Sequence, residues 1–236
     1  MPTNGRKKLV LFDIDGTLLW THGAGRRAIR RALLDELGTT GPIDGFRFDG
    51  KTDPQIVHEL MDAADHPETG NQRLVDTICD RYADLLAQEL HGDSVQVDVL
   101  PGVPELLDEL EGRSDVLLGL LTGNVERGAA LKLRSGGIDP ARFKVGAFGS
   151  DEADRSRLPE IASNRAELFF GRKPAGDDLV ILGDTPADVR CGESIGARAI
   201  GVATGSYSRA DLERAGAFAV VDDFSNAAEV IDAVFV

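Results

Sequence analysis

The stretch LVLFDIDGTLL, residues 9–19, runs as four apolar residues and then places Asp13 and Asp15 on either side of Ile14 before a Gly-Thr turn. Two residues apart on an extended segment, their side chains point to the same side. Two unit charges about 4 Å apart repel by about 4 kcal/mol at an effective dielectric of 20, so the pair calls for a cation or a proton. Two further apolar runs end in the same manner: LLTGN (120–124) in Thr122, and DLVILGD (178–184) in Asp184. Hard oxygen donors without His or Cys beside them select Mg²⁺ rather than zinc. A carboxylate next to such an ion is a nucleophile toward phosphorus, and the ion offsets its repulsion from an anionic phosphoryl group.

These residues converge only if their strands lie side by side. The second half of the chain supplies that arrangement, alternating short apolar strands (115–121, 143–148, 178–184, 198–202, 218–221) with helical segments. Within LPEIASNRAELFF (158–170), Ile161, Leu168 and Phe169 are placed on one side of the helix. The alternation predicts βαβ units, hence an α/β fold with a doubly wound parallel sheet. Open sheets of this kind bind ligands at the carboxyl ends of their strands, where all three motifs fall.

Residues 18–97 break the pattern. RRAIRRALLDEL (26–37), PQIVHELMDAA (54–64) and RLVDTICDRYADLLAQEL (73–90) space their apolar residues helically, with Leu74, Ile78, Tyr82, Leu85 and Leu86 as the stripe of the last. The expected organisation is a core of residues 1–17 and 98–236 interrupted by an all-helical insert, with hinges near 18–23 and 95–102.

Asp plus Glu total 40 against 26 Lys plus Arg, a net charge of −14 that argues against nucleic-acid or anionic-membrane partners. No apolar run approaches the roughly 20 residues of a membrane span. Two cysteines, Cys79 and Cys191, suggest neither a disulfide framework nor a zinc site. The reading is a cytoplasmic protein, monomer or homodimer, whose partner is a small-molecule phosphate ester.

Taken in order, DIDGT (13–17), LLTGN (120–124) and GDTPADV (183–189) resemble the haloacid dehalogenase superfamily, and the helical insert after the first motif resembles the cap of its phosphoglycolate-phosphatase-like members. The resemblance implies a Rossmann-like core and Mg²⁺. Asp13 would be the nucleophile and a metal ligand. Asp15 would protonate the leaving oxygen, then deprotonate the attacking water, and lend the metal its backbone carbonyl. Thr122 would hydrogen-bond a phosphoryl oxygen, aided by backbone N–H groups near Gly123 and Asn124. Asp184 would ligate the metal, with Asp188 behind it.

The family's cation before the last motif is usually a Lys; SDEADRSRLP (150–159) offers Arg155 or Arg157, and Arg155 is preferred. An Arg holds nucleophile and phosphate together through its planar fork. In the cap, the polar turn FDGKTDPQ (48–55) puts Lys51 and Thr52 forward as contacts for the leaving group, although Asp53-Pro54 is also an ordinary helix start. Asp15 selects ester hydrolysis, because an alkoxide needs a proton to leave and a halide does not. The alternatives are a phosphomutase of the β-phosphoglucomutase type and a non-catalytic regulatory or binding protein on the same fold.

Overall fold

The computed structural model describes residues 7–91 and 96–236. The first six residues of the expected core, and Val95 of the second hinge, lie outside the described residues. Strand β1 (Lys8–Phe12) is followed by a two-residue strand β2 (Leu19–Trp20), then by helices α1 (Ala24–Leu37), α2 (Asp53–Ala63) and α3 (Gln72–Leu90). After β3 (Asp98–Val99) come α4 (Val103–Glu111), β4 (Val116–Thr122), α5 (Glu126–Ser135), β5 (Val145–Phe148), α6 (Leu158–Phe170) and β6 (Leu179–Gly183). The chain closes with α7 (Pro186–Cys191), β7 (Arg198–Val202), α8 (Arg209–Ala215), β8 (Ala219–Val221) and α9 (Ala227–Phe235).

Six strands form one parallel sheet in the order β5-β4-β1-β6-β7-β8. The order reverses at β1, so the crevice beyond its carboxyl end is flanked by β4 and β6. Phe12 pairs with Leu120 on one side and Leu182 on the other, and Asp13 N–H continues the ladder to the Leu182 carbonyl at 3.0 Å. The three motif-bearing strand ends therefore adjoin.

All of β1 is buried, as a strand covered on both faces must be. Val10 and Phe12 pack with α4, α5 and α9, through Leu106, Leu133 and Val230 among others. Leu9 and Leu11 face α6 and α7 through Leu158, Ala162, Ala166 and Cys191. This corrects the expected face of α6: Leu168 is 92% exposed and Phe169 45%. The helix meets the sheet through Leu158, Ala162 and Ala166, with Ile161 and Phe170 partly buried at the margin of the same cluster.

Helices α1–α3 pack around an apolar cluster of their own, including Ile29, Leu33, Ile56, Leu60, Ile78 and Leu86, joined by Val125, the residue that precedes α5. The stripe read on α3 is buried apart from half-buried Leu74. The periodicity did not foretell the antiparallel pairing of β2 with β3, Leu19 to Val99 and Trp20 to Asp98, which ties the two crossings together. His22 adds a bond from its ring to Asp98 at 2.8 Å. Among the described residues, no helix is long and apolar enough to cross a membrane.

Candidate active site

Beyond β1 the chain turns sharply through Gly16, whose φ of +81° is left-handed and whose missing Cβ would lie 2.5 Å from the Asp184 carboxylate. The turn thus lies directly against the Asp184 carboxylate, beside the paired ends of β1 and β6. Asp13 is 7% exposed, and burial pushes its carboxyl up to about 6; Arg155 opposes that rise, while Asp188 and Asp15 add to it. Asp184 is 4% exposed and raised well above the usual carboxylate range, first by burial and then by Asp188 and Asp13.

Arg155 offsets part of this negative charge. Its guanidinium pairs with Asp188 and lies 3.2 Å from Asp13. Burial works against its charge, yet the two carboxylates outweigh burial and raise its pKa. Its Nε–H is buried without a partner, leaving a donor for an incoming oxygen. Arg157, the alternative cation, points away: it is exposed and pairs with Glu152 at 3.6 Å.

Asp188 is anchored by the start of α7. Thr185 N–H and Oγ1 donate to its Oδ2 at 3.0 and 2.7 Å, and its backbone N–H returns a bond to Thr185 Oγ1, the reciprocal box that satisfies a helix N-terminus. With Asp188 committed to Arg155 and Thr185, the carboxyl oxygens left for a ligand belong to Asp13 and Asp184. Asp13, Asp184 and Asp188 each offer an oxygen within 4.8 Å of the others. The free oxygens of Asp13 and Asp184, hard anionic donors in a buried acidic cluster, fit a divalent oxygen-seeking cation.

Thr122, at the end of β4, is fully buried. Its Oγ1 accepts from Asn124 Nδ2 at 2.8 Å, leaving its own hydrogen to donate. The second hydrogen of the Asn124 amide reaches Asp15 Oδ2 at 2.9 Å, so one side chain links the first two motifs.

Three participants escaped the sequence reading. Lys132 of α5, with a side chain only 6% exposed, donates to Asp15 Oδ2 at 2.6 Å. Its spacing from Ala129 and Leu133 puts it on the inward face of α5, and a lysine in that register was the one available signal. Asp53 is buried; its Oδ2 accepts from Val125 N–H at 2.8 Å, and its own N–H donates to the Gly123 carbonyl at 2.8 Å. Gly123 permits this contact because a Cβ there would strike the Lys51 carbonyl. Tyr82 brings a buried hydroxyl from α3.

The cap turn thus docks on the second motif. Thr52, read as a leaving-group contact, has its hydroxyl elsewhere: Oγ1 donates to the Ala153 carbonyl at 2.8 Å and caps α2 by accepting from Gln55 N–H. Lys51 lines the cavity, but its ammonium is paired with Glu59 at 2.8 Å. Trp20 lines the cavity as well.

Burial also raises the Asp53 carboxyl to about 6; Lys132 and the Val125 N–H pull it down, and Asp15 pushes it up. The folded state holds this proton more tightly than the unfolded chain, where an Asp titrates near 3.9. The stability this contributes is complete below about pH 4 and is lost as pH rises through 6. Asp53→Asn keeps an acceptor for Val125 and cannot ionise. Its stability relative to the parent should improve by about 1–2 kcal/mol between pH 5 and pH 8, read from paired thermal melts. A gap independent of pH would show that Asp53 takes up no proton on folding.

Comparison with known proteins agrees with this geometry. A family model described as HAD-hyrolase-like matches residues 160–227. The phosphoglycolate phosphatase of Rhodospirillum rubrum is 30% identical over 227 residues, covering 93% of this chain and 88% of that protein. The crystal structure of a hydrolase from Pseudomonas syringae superposes with a TM-score of 0.68 at 22% identity, over 95% of this chain and 97% of that one. CbbY from Rhodobacter sphaeroides in complex with phosphate gives 0.64 at 22% identity, over 93% and 96%. With the acid pair at the end of the central strand, the Thr-Gly-Asn turn and the Asp184 loop meeting at one sheet edge, the chain belongs to the haloacid dehalogenase superfamily, among its phosphoglycolate-phosphatase-like phosphoric monoester hydrolases.

Proposed function

We propose that this protein is a Mg²⁺-dependent, cytoplasmic phosphatase of small phosphorylated metabolites that works through an aspartyl-phosphate on Asp13. The observation that carries the reading is the position of Asp13, buried between the Arg155 guanidinium and the Asp184 carboxylate at the head of the crevice. Asp13 and Asp184 would hold the metal, with Asp188 bracing Arg155 beside them. When bound there, Mg²⁺ offsets the repulsion between carboxylates and phosphoryl oxygens.

The residues divide the work in two steps. An Asp13 oxygen forms a bond to phosphorus as the ester P–O bond breaks, and Asp15 gives its proton to the departing alkoxide. Asp15 then takes a proton from water; the water oxygen bonds phosphorus, the Asp13–phosphorus bond breaks, and inorganic phosphate leaves. Thr122 Oγ1 and the free Arg155 Nε–H donate to phosphoryl oxygens through both steps.

Phosphate release from a panel of alkyl and sugar phosphates tests the proposal. Protein stripped with excess chelator should release none, and Mg²⁺ should restore turnover. Release that persists in chelator removes the metal from the reading, and isomerised sugar phosphate in place of free phosphate converts the enzyme to a mutase.

A further inference from the structure

Asp15 lines the same cavity as Asp13, Thr122 and Arg155, and two side chains from different parts of the chain hold it there. Asn124 Nδ2 donates to Asp15 Oδ2 at 2.9 Å, and Lys132 Nζ donates to the same oxygen at 2.6 Å. A carboxylate oxygen offers about two lone-pair directions, so these two donors fill Oδ2. No donor among the described residues reaches Oδ1.

The placement of Lys132 is unusual for a lysine. It sits in the last turn of α5, on the buried face. A long helical side chain leans toward the start of its own helix, and α5 starts just past Asn124. The ammonium is thereby carried back to the sheet edge, where its side chain is only 6% exposed. Arg155 already occupies the place of a cation beside the nucleophile, 3.2 Å from Asp13. The nearby cap carboxylate, Asp53, has its Oδ2 engaged by the Val125 N–H. A buried ion pair adds little net stability over apolar side chains of the same volume. What this one supplies is orientation. The Asp15 side chain is 33% exposed, and without its two partners it would move among staggered rotamers.

We propose that Lys132 is the positioning residue of the proton donor: together with Asn124 it fills Oδ2, which puts the Asp15 proton on Oδ1 and holds that oxygen toward the leaving group. The inference rests on the phosphatase reading above. As the ester P–O bond breaks, the Oδ1 proton passes to the departing oxygen. The negative charge stays on a carboxylate that the ammonium already holds. A misplacement of about 1 Å at a reacting group costs about 10²-fold, which sets the scale of the effect.

The test reads kcat/KM, which covers the steps up to departure of the leaving group, the point at which Asp15 gives its proton. Mg²⁺-loaded protein is assayed with p-nitrophenyl phosphate and with the alkyl or sugar phosphate that the parent turns over fastest. Lys132→Met, similar in length but without a donor, should lower the value for the alkyl or sugar ester about 10²-fold. The loss on p-nitrophenyl phosphate, whose leaving group departs without a proton, should be about tenfold smaller. In the Asp15→Asn background the same substitution should cost less than about twofold further on the alkyl or sugar ester, because residues that act as a unit are not additive. If the Met variant does not fold, Lys132→Gln, a neutral donor on a shorter chain, carries the same cycle. An unchanged value, equal losses on both esters, or a loss that multiplies with that of Asp15→Asn overturns the positioning role and leaves the phosphatase reading standing. A parent that releases phosphate from no alkyl or sugar ester ends both.

Discussion

Asp13→Asn should reduce phosphate release by at least about 10⁴-fold on every ester, because an amide neither attacks phosphorus nor contributes an anionic oxygen to the metal. The variant separates nucleophile from scaffold, since the amide retains the shape of a side chain that sits 7% exposed beside Arg155. The neighbouring acid makes a useful control. Asp15→Asn should cost about 10²–10⁴-fold on alkyl phosphates, the usual worth of a positioned proton donor. It should cost far less on p-nitrophenyl phosphate, whose leaving group departs without a proton. The parent's pH profile carries the same signature. Burial holds the Asp13 carboxyl at about 6 without a metal, so turnover should fall on the acid side as the nucleophile takes up its proton. A bound cation moves that limb lower. Single-turnover assays with both esters decide the matter, and parental rates in the Asp13 variant would refute an aspartyl-phosphate.

Removing the buried cation is the second large effect. Arg155→Met should destabilise the protein by about 3–5 kcal/mol at neutral pH, the usual cost of stranding a buried charge. At this chain length that is a fall in melting temperature of about 10 °C. Asp188 is 1% exposed and Asp13 7%, so neither carboxylate can turn to water when its partner is gone. The sign with pH follows. Asp13 already binds its proton more tightly folded than unfolded, and losing Arg155, which opposes that rise, strengthens the tendency. The variant should therefore lie nearest the parent at low pH and fall away as pH rises through 6 and beyond. Arg155→Lys, which keeps the charge without the fork, should recover much of the stability and less of the activity. Equal melting temperatures for parent and Met variant across that range would mean that the guanidinium does not hold the cluster together.

The linear chain specified a good deal of this site. Strand ends are written locally: apolar runs stopping at Asp13, Thr122 and Asp184 need only a parallel sheet to bring them together, and alternating strands and helices supply one. Arg155 was legible because it falls between the second and last of those strands, although choosing it over Arg157 took the fold, which buries one and exposes the other. The helices of the insert showed in their periodicity, since each buries one stripe.

Tertiary structure alone decided the rest. Lys132 meets a carboxylate 117 residues away, and nothing near it in sequence distinguishes an inward lysine that finds Asp15 from one that reaches solvent. Asp53 looked like a helix start and is one, yet its carboxyl docks the cap turn on the backbone beside the second motif. The polar stretch 48–55 divided its roles accordingly, with Thr52 given to docking and Lys51 to the cavity wall. On α6 it was Leu158, Ala162 and Ala166 that took the sheet, while Leu168 and Phe169 were left exposed, because the face a helix turns inward is set by how it docks rather than by the hydrophobicity of any single side chain. Local pattern determines which elements form and where they end. Which side chains then face one another across them is set by the distances at which those elements pack, a property of the whole chain.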